Sequence, residues 1–141
     1  MEILEKMQTW LMSYPGWGDR ELCIDTTQAE PGSCGLFPAG LEQVNRRENV
    51  LGNVAEVWRC HFILRRIALR QEAAAAWLLD FQDWVRNQSL QGLSPRFGDV
   101  PSQERIRAEK GKLLSVSQTG TGTYELKLTA EYMKENEYEQ D

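Results

Sequence analysis

Cys60 and His61 are adjacent, and a thiol beside an imidazole is the pair from which a cysteine nucleophile and its base are built. On a β-strand, however, neighbouring residues point to opposite faces, so these two cannot hydrogen-bond as that chemistry requires. The expected arrangement is a core cysteine with a histidine on the outer face. His61 is the sole histidine. A metal centre would need it together with Cys23, Cys34 or carboxylates from distant segments, and their spacing forms no metal signature. Asp80 and Asp83 stand three residues apart on a helix. Paired carboxylates can exchange protons, but a charged, solvated helix face is the commoner meaning. The glycines of Thr119-Gly-Thr-Gly-Thr123 are followed by neither the G-K-[ST] nor the helix of a phosphate loop, and read as a hairpin turn. No catalytic, cofactor-binding or metal-ligating residue is therefore expected, and no cofactor.

The basic residues are better placed for binding than for catalysis. Arg59 and Arg65 fall on the polar face of a long strand, where salt bridges across the sheet to Glu125, Glu131, Glu48 or Glu56 are the simplest expectation. Arg46 and Arg47, at a neighbouring strand end, are the arginines expected to stay exposed for a partner. Trp17, in the turn Gly16-Trp17-Gly18, and the Arg96-Phe97 tip of a second loop complete the candidate partner interface.

The elements that must carry these residues are legible in the hydrophobic period. Residues 2–14 place Ile3, Leu4, Met7, Trp10, Leu11 and Tyr14 at helical spacing, and Pro15-Gly16 ends that helix. Residues 21–27 form a short strand candidate. The stretch 28–53 is rich in proline and glycine and is read as a strand around Leu36 to Arg47 embedded in loops. From Val54 to Leu69, Trp58, Cys60, Phe62 and Leu64 share one face, while Arg59, His61 and Arg65 share the other. Residues 71–90 form a second helix with Ala74, Trp77, Leu78, Phe81, Trp84 and Val85 on one side. After a loop at 92–101, residues 104–118 are extended, with a bulge or turn at Gly111. Tyr124, Leu126, Leu128, Ala130 and Tyr132 then alternate with polar residues. Residues 134–141 form an acidic tail.

The order α-β-β-β-α-β-β predicts an α+β fold of two layers. It is an antiparallel sheet of about five strands with both helices packed on one face. Trp10, Trp58, Trp77 and Trp84 belong to the predicted core faces. At 141 residues the chain is expected to fold as one domain, residues 1–141, around a single core without disulfides. Three cysteines without C-x-x-C spacing read as free thiols of a reducing compartment. A net charge of −5 argues against a protein that grips nucleic acid by neutralising phosphates. The start, M-E-I-L-E-K-M-Q-T-W, has acids where a signal peptide carries positive charge. The longest apolar run, Ala73 to Leu79, is too short to cross a bilayer. A cytosolic origin and no membrane partner are expected.

Several motifs occur in a familiar order. They are Ile24-Asp25, P-G-S-C-G-L-F-P-A-G at 31–40, N-V-L-G at 49–52, W-L-L-D-F-Q-D-W-V at 77–85, P-R-F-G-D at 95–99, and the closing G-T-G-T-Y-E-L-K-L-T-A-E-Y. Together they resemble the small minor structural proteins of tailed-phage and prophage tails, and are similar to the tail-terminator (tail-completion) group. The resemblance implies a subunit of a homohexameric ring. Such a ring caps the tail tube protein, stops its polymerisation and faces the head-tail connector or neck protein. It also meets the sheath protein in contractile particles, and genomic DNA passes through without specific binding. The implied location is the virion tail or neck, assembled in the bacterial host cytoplasm. The alternatives are a head-side neck or connector protein, or a small cytosolic enzyme or regulator using Cys34 or His61.

Overall fold

The structure, a computed structural model, describes residues 3–17, 22–24, 34–68, 71–109, 112–116 and 121–136. Asp25, Pro31-Gly32, the turn expected at Gly111, and the tail beyond Asn136 lie outside the described residues.

Helix α1 spans Ile3–Leu11, followed by a 3-10 turn at Pro15–Trp17. Strand β1 is Leu22–Ile24, β2 is Cys34–Glu48 and β3 is Val54–Ala68. Helix α2 is Gln71–Leu90. A second 3-10 turn at Pro101–Gln103 precedes β4 (Arg105–Ala108), β5 (Lys112–Val116) and β6 (Gly122–Asn136). Helix α2 ends where Gly92 takes a φ of +73°, a conformation that costs glycine little, while Leu93 N–H bonds back to the Gln88 carbonyl.

The class is α+β, as expected. The strands run in the order β1-β2-β3-β6-β4, with β5 also on β6. This makes six strands where about five were predicted. The pairs from β2 to β4 are antiparallel, as is β5–β6, but β1 adds to β2 in parallel. Within residues 28–53 the strand expected around Leu36 to Arg47 is present and slightly longer. Cys34–Glu48 is one strand of 15 residues, long for a globular protein. Pro38 and Gly40 sit within it, since a proline is compatible with an edge strand or a bulge. Beyond Leu36 no described strand pairs with the outer side of β2. Register shifts between Pro38 and Gly40 and between Gln43 and Asn45 make Ala39 and Val44 the extra residues of two bulges.

The β3–β6 ladder runs without a shift from Val54↔Asn136 to Ala68↔Gly122. Three successive even-numbered rows at its middle are apolar: Cys60↔Ala130, Phe62↔Leu128 and Leu64↔Leu126. These side chains share one buried cluster with Met7 and Leu11 of α1 and with Leu78, Phe81 and Val85 of α2. Tyr14 is the hub between the helices. Its ring lies 5.2 Å from Phe81, 5.0 Å from Trp84 and 5.8 Å from both Trp17 and Trp77. Trp10, Trp58, Trp77 and Trp84 are only partly buried against this cluster. Their polar edges explain this: Trp10 and Trp77 donate their indole N–H groups to the carbonyls of Leu93 and Gly16, close to solvent.

Candidate partner interface

The groups that could do chemistry are held apart or already engaged. Cys60 lies in the core, and burial pushes its thiol up to about 11, so the thiolate is scarce at neutral pH. His61 is on the opposite face, with Nε2 3.0 Å from Glu42 Oε1 and Nδ1 3.3 Å from Thr129 Oγ1. The hydrogen bond from His61 is the main reason that the Glu42 carboxyl is held below the usual range. Cys34 is buried, and its sulfur accepts from Arg66 Nη1 at 3.2 Å. Asp80 and Asp83 are exposed on α2, as expected. Among the described residues no three His, Cys, Asp or Glu side chains could hold a metal ion.

The odd-numbered rows of the β3–β6 ladder form a charged face. Arg59 Nε meets Glu131 at 2.9 Å and Arg65 Nε meets Glu125 at 3.1 Å, two of the four acids that the sequence offered as partners. That face is self-complementary, which leaves few of its charges for a partner.

The five candidate interface residues divide. Arg46 and Arg47 are exposed near the end of β2, where Arg46 reaches only Glu48 among the described residues, at 3.7 Å. Arg96 is exposed on the loop after α2. This loop touches the same end of the sheet, because Asp99 N–H donates to the Met133 carbonyl and Glu135 N–H donates to Asp99 Oδ2. Arg46, Glu56 and Lys134 form one row across β2, β3 and β6. With strands about 4.8 Å apart, that row spans roughly 10 Å, and the loop that carries Arg96 meets its β6 end.

Trp17 and Phe97 are corrections. Trp17 is only 5 % exposed, with its indole N–H donated to the Leu11 carbonyl and its ring beside Trp77 and Phe81. The 3-10 turn folds it inward, so it is core and not a contact residue. Phe97 is also 5 % exposed, packed edge-on against Tyr132 at 5.8 Å. Glu104 causes this: its Oε1 accepts from the N–H groups of Phe97 and Gly98 at 3.1 and 2.7 Å, pinning the loop inward. Burial raises the Glu104 carboxyl above its ordinary range against those two donors, and its Oε2 is buried with no hydrogen-bond partner among the described residues.

The apolar surface was missed by sequence reasoning. Among the described residues eight large apolar side chains are exposed, and seven of them fall into two groups. Leu41, Val44, Val50 and Leu51 belong to the β2–β3 hairpin; Leu79, Leu90 and Leu93 belong to α2 and the residues after it. The hairpin tip is firmly built. Asn49 Oδ1 accepts from the N–H groups of Leu51 and Asn53, and Gly52 takes a φ of +85°. Val50 is fully exposed and Leu51 is 76 % exposed. The available signal was Val50-Leu51 between Asn49 and Gly52, an apolar pair where a turn would ordinarily be polar. Beside the tip, Arg47, Glu48, Asn53 and Glu135 line a hollow of about 480 Å³.

Compared with known protein families and with curated protein sequences, the chain matches no family model and no curated relative.

Proposed function

We propose that this chain is a structural, non-enzymatic ring subunit of a phage or phage-like tail. In this reading it caps the tail tube, halts its polymerisation and joins it to the head connector. Copies of itself are the first partner, in a ring of six; the tube protein and the neck protein follow, with the sheath protein in a contractile particle. DNA passes through the ring, and the finished protein resides in the virion tail or neck after assembly in the host cytoplasm. A layer of two helices packed on one face of the sheet belongs to the same reading.

The observation that carries it is the β2–β3 hairpin. Every residue from Pro38 to Glu48 is exposed along one border of the sheet, and the tip presents two apolar side chains to water. An apolar projection on a firm turn is a cost to an isolated subunit and an asset to one that reaches a neighbour. The buried Cys60 and the engaged His61 lend no support to the enzyme or regulator alternative. A head-side neck protein would use the same arm toward different partners.

Deletion of this gene from a phage or prophage encoding it tests the reading. The expected result, in electron micrographs, is DNA-filled heads beside unjoined or overlong tails. Head-joined tails of normal length would overturn it.

A further inference from the structure

We propose that the charged face of the sheet carries a phosphate-binding site at its β4 end, in which Arg59, Arg105 and Arg107 take a dianionic phosphoryl group. Such a site goes beyond the tail reading and does not need it. The strand registers build it. Strand β6 lies between β3 and β4, and one row across the three reads Arg59↔Glu131↔Arg105. Two residues along, the next row on the same face reads His61↔Thr129↔Arg107. With strands about 4.8 Å apart, the backbone under the β4 arginines stands roughly 10 Å from that under Arg59, with Glu131 and Thr129 between. The three arginines, Thr129 and Glu131 line a hollow of about 270 Å³ there, and Ser89 reaches it from α2.

Three guanidinium groups against one carboxylate leave this hollow a surplus of two positive charges. The β3–β6 pairs satisfy one another, but β4 extends their face with two arginines that have no matching acids. Glu131 stands between Arg59 and Arg105, yet its Oε2 turns to Arg59 Nε at 2.9 Å. Arg105 is exposed and has no ion pair among the described residues. Arg107 is exposed and reaches only Glu109 among them, at 3.9 Å. Arg59 gives Glu131 its Nε alone, and its two Nη groups make no hydrogen bond among the described residues. Glu42, in register with Arg59 on the β2 side, is held by His61 Nε2 at 3.0 Å. Asp83 and Arg86 line the neighbouring groove beside α2 as one charge of each sign.

Arginine matches this ligand because its planar fork donates to two phosphate oxygens at once and stays charged at any working pH. A phosphate monoester carries about −1.5 to −2 charge at pH 7, which meets the surplus. Ser89 Oγ accepts from the Ile106 N–H at 3.4 Å, so its own proton is left for a phosphate oxygen. The rest of the chain favours a compact anion over a polyanion. With a net charge of −5 the molecule repels a long nucleic acid. A single phosphoryl group in the hollow feels mainly the guanidiniums around it, since exposed charges further than about 8 Å are largely screened at physiological salt. That group can be inorganic phosphate or the end group of a nucleotide.

The test is an NMR titration of the full chain in phosphate-free buffer, with inorganic phosphate in one arm and a nucleoside monophosphate in the other. Potassium chloride at matched ionic strength is the control. Saturable shifts should appear in the Arg105, Arg107 and Thr129 amide signals and in the Arg59 side-chain Nε–H. Tighter binding of the nucleotide would identify a nucleotide end group as the ligand, and equal binding the phosphoryl group alone. The double variant Arg105→Gln/Arg107→Gln should weaken binding at least about tenfold, as for the loss of charge-assisted hydrogen bonds. Its melting temperature without phosphate should stay at the wild-type value, because both side chains are exposed. Arg46→Gln/Arg47→Gln should leave affinity unchanged. Glu131→Gln, which removes the competing carboxylate, should tighten binding, whereas Glu135→Gln, with the same change in net charge, should not. Shifts reproduced by potassium chloride, no saturation, or equal weakening by the two arginine pairs would each overturn the proposal. Displacement of the monophosphate by duplex DNA without terminal phosphates, at equal phosphate concentration, would overturn it in favour of a polyanion surface.

Discussion

The indole N–H of Trp17 donates to the carbonyl of Leu11, closing the C-terminal turn of α1 with a side chain six residues further on. This bond adds a second donor to a helix-end carbonyl that already accepts from the Tyr14 N–H. It also fixes the ring against Trp77 and Phe81. Trp17→Ala should cost about 3–5 kcal/mol, the usual range for deleting a buried aromatic ring. Trp84→Ala, at a half-buried position, should cost less. Urea unfolding of both variants checks the order; equal losses would place Trp17 outside the core.

Gly98 passes so close to β6 that a Cβ added there would lie 2.2 Å from the Met133 carbonyl oxygen. Gly98→Ala should push the loop off the strand, at a cost of about 1–3 kcal/mol, as for other overpacked sites. The Asp99 N–H, bonded to that same carbonyl, is the local reporter. Its hydrogen exchange should accelerate in the variant well before the β3–β6 ladder does.

Glu104 sets a pH dependence with a definite sign. Burial raises its folded-state carboxyl above the unfolded value, against the N–H groups of Gly98 and Phe97 and the charges of Arg96 and Lys6. The folded chain therefore keeps a proton that the unfolded chain has released. The stability from the neutral form is complete below the ordinary carboxylate pKa of about 4.3 and declines as pH rises through the folded value. Glu104→Gln keeps an acceptor for both N–H groups and loses that decline. The melting temperature of the variant minus that of wild type should grow from acidic to neutral pH; a flat difference would contradict it.

The Arg59–Glu131 and Arg65–Glu125 pairs are partly solvated, with roughly a third of both side chains exposed in the first and the arginine 40 % exposed in the second. Each should contribute no more than about 1 kcal/mol, measured by a double-mutant cycle with alanine and diminished by salt. A larger coupling would mean that this face is drier than its exposure implies.

Cys60 should resist thiol reagents. With its thiol pushed up to about 11 and buried, labelling in a Cys23→Ser/Cys34→Ser chain should proceed only through opening of the fold. Rapid modification at neutral pH would disprove this. Labelling that follows urea unfolding would support it.

Much of this architecture was written in period and spacing. The alternation from Trp58 to Leu64 and from Tyr124 to Tyr132 declared its buried face, because a period of two with one apolar side has few other solutions. The ion pairs of Arg59 and Arg65 followed from the same alternation. Trp17 and Phe97 were misread because a large ring in a glycine-bearing turn looks exposed locally. Their direction is set by partners elsewhere: Tyr14 and Trp77 for one, Glu104 and Tyr132 for the other. The two apolar borders were hidden for a different reason. Which strand lies at an edge depends on strand order, and hydrophobic alternation carries no record of it.

The bulges at Ala39 and Val44 bear on what this chain does while it waits in a crowded cell. A straight outer strand of this length would offer its amide groups to any extended polypeptide, including half-made copies on ribosomes. Interrupting that row twice makes the border deaf to generic backbone and responsive to side-chain identity alone. Mispairing is suppressed without hiding the arm. Restoring a regular strand, by deleting Ala39 and Val44, should yield a protein that precipitates with unrelated chains before it finds its own.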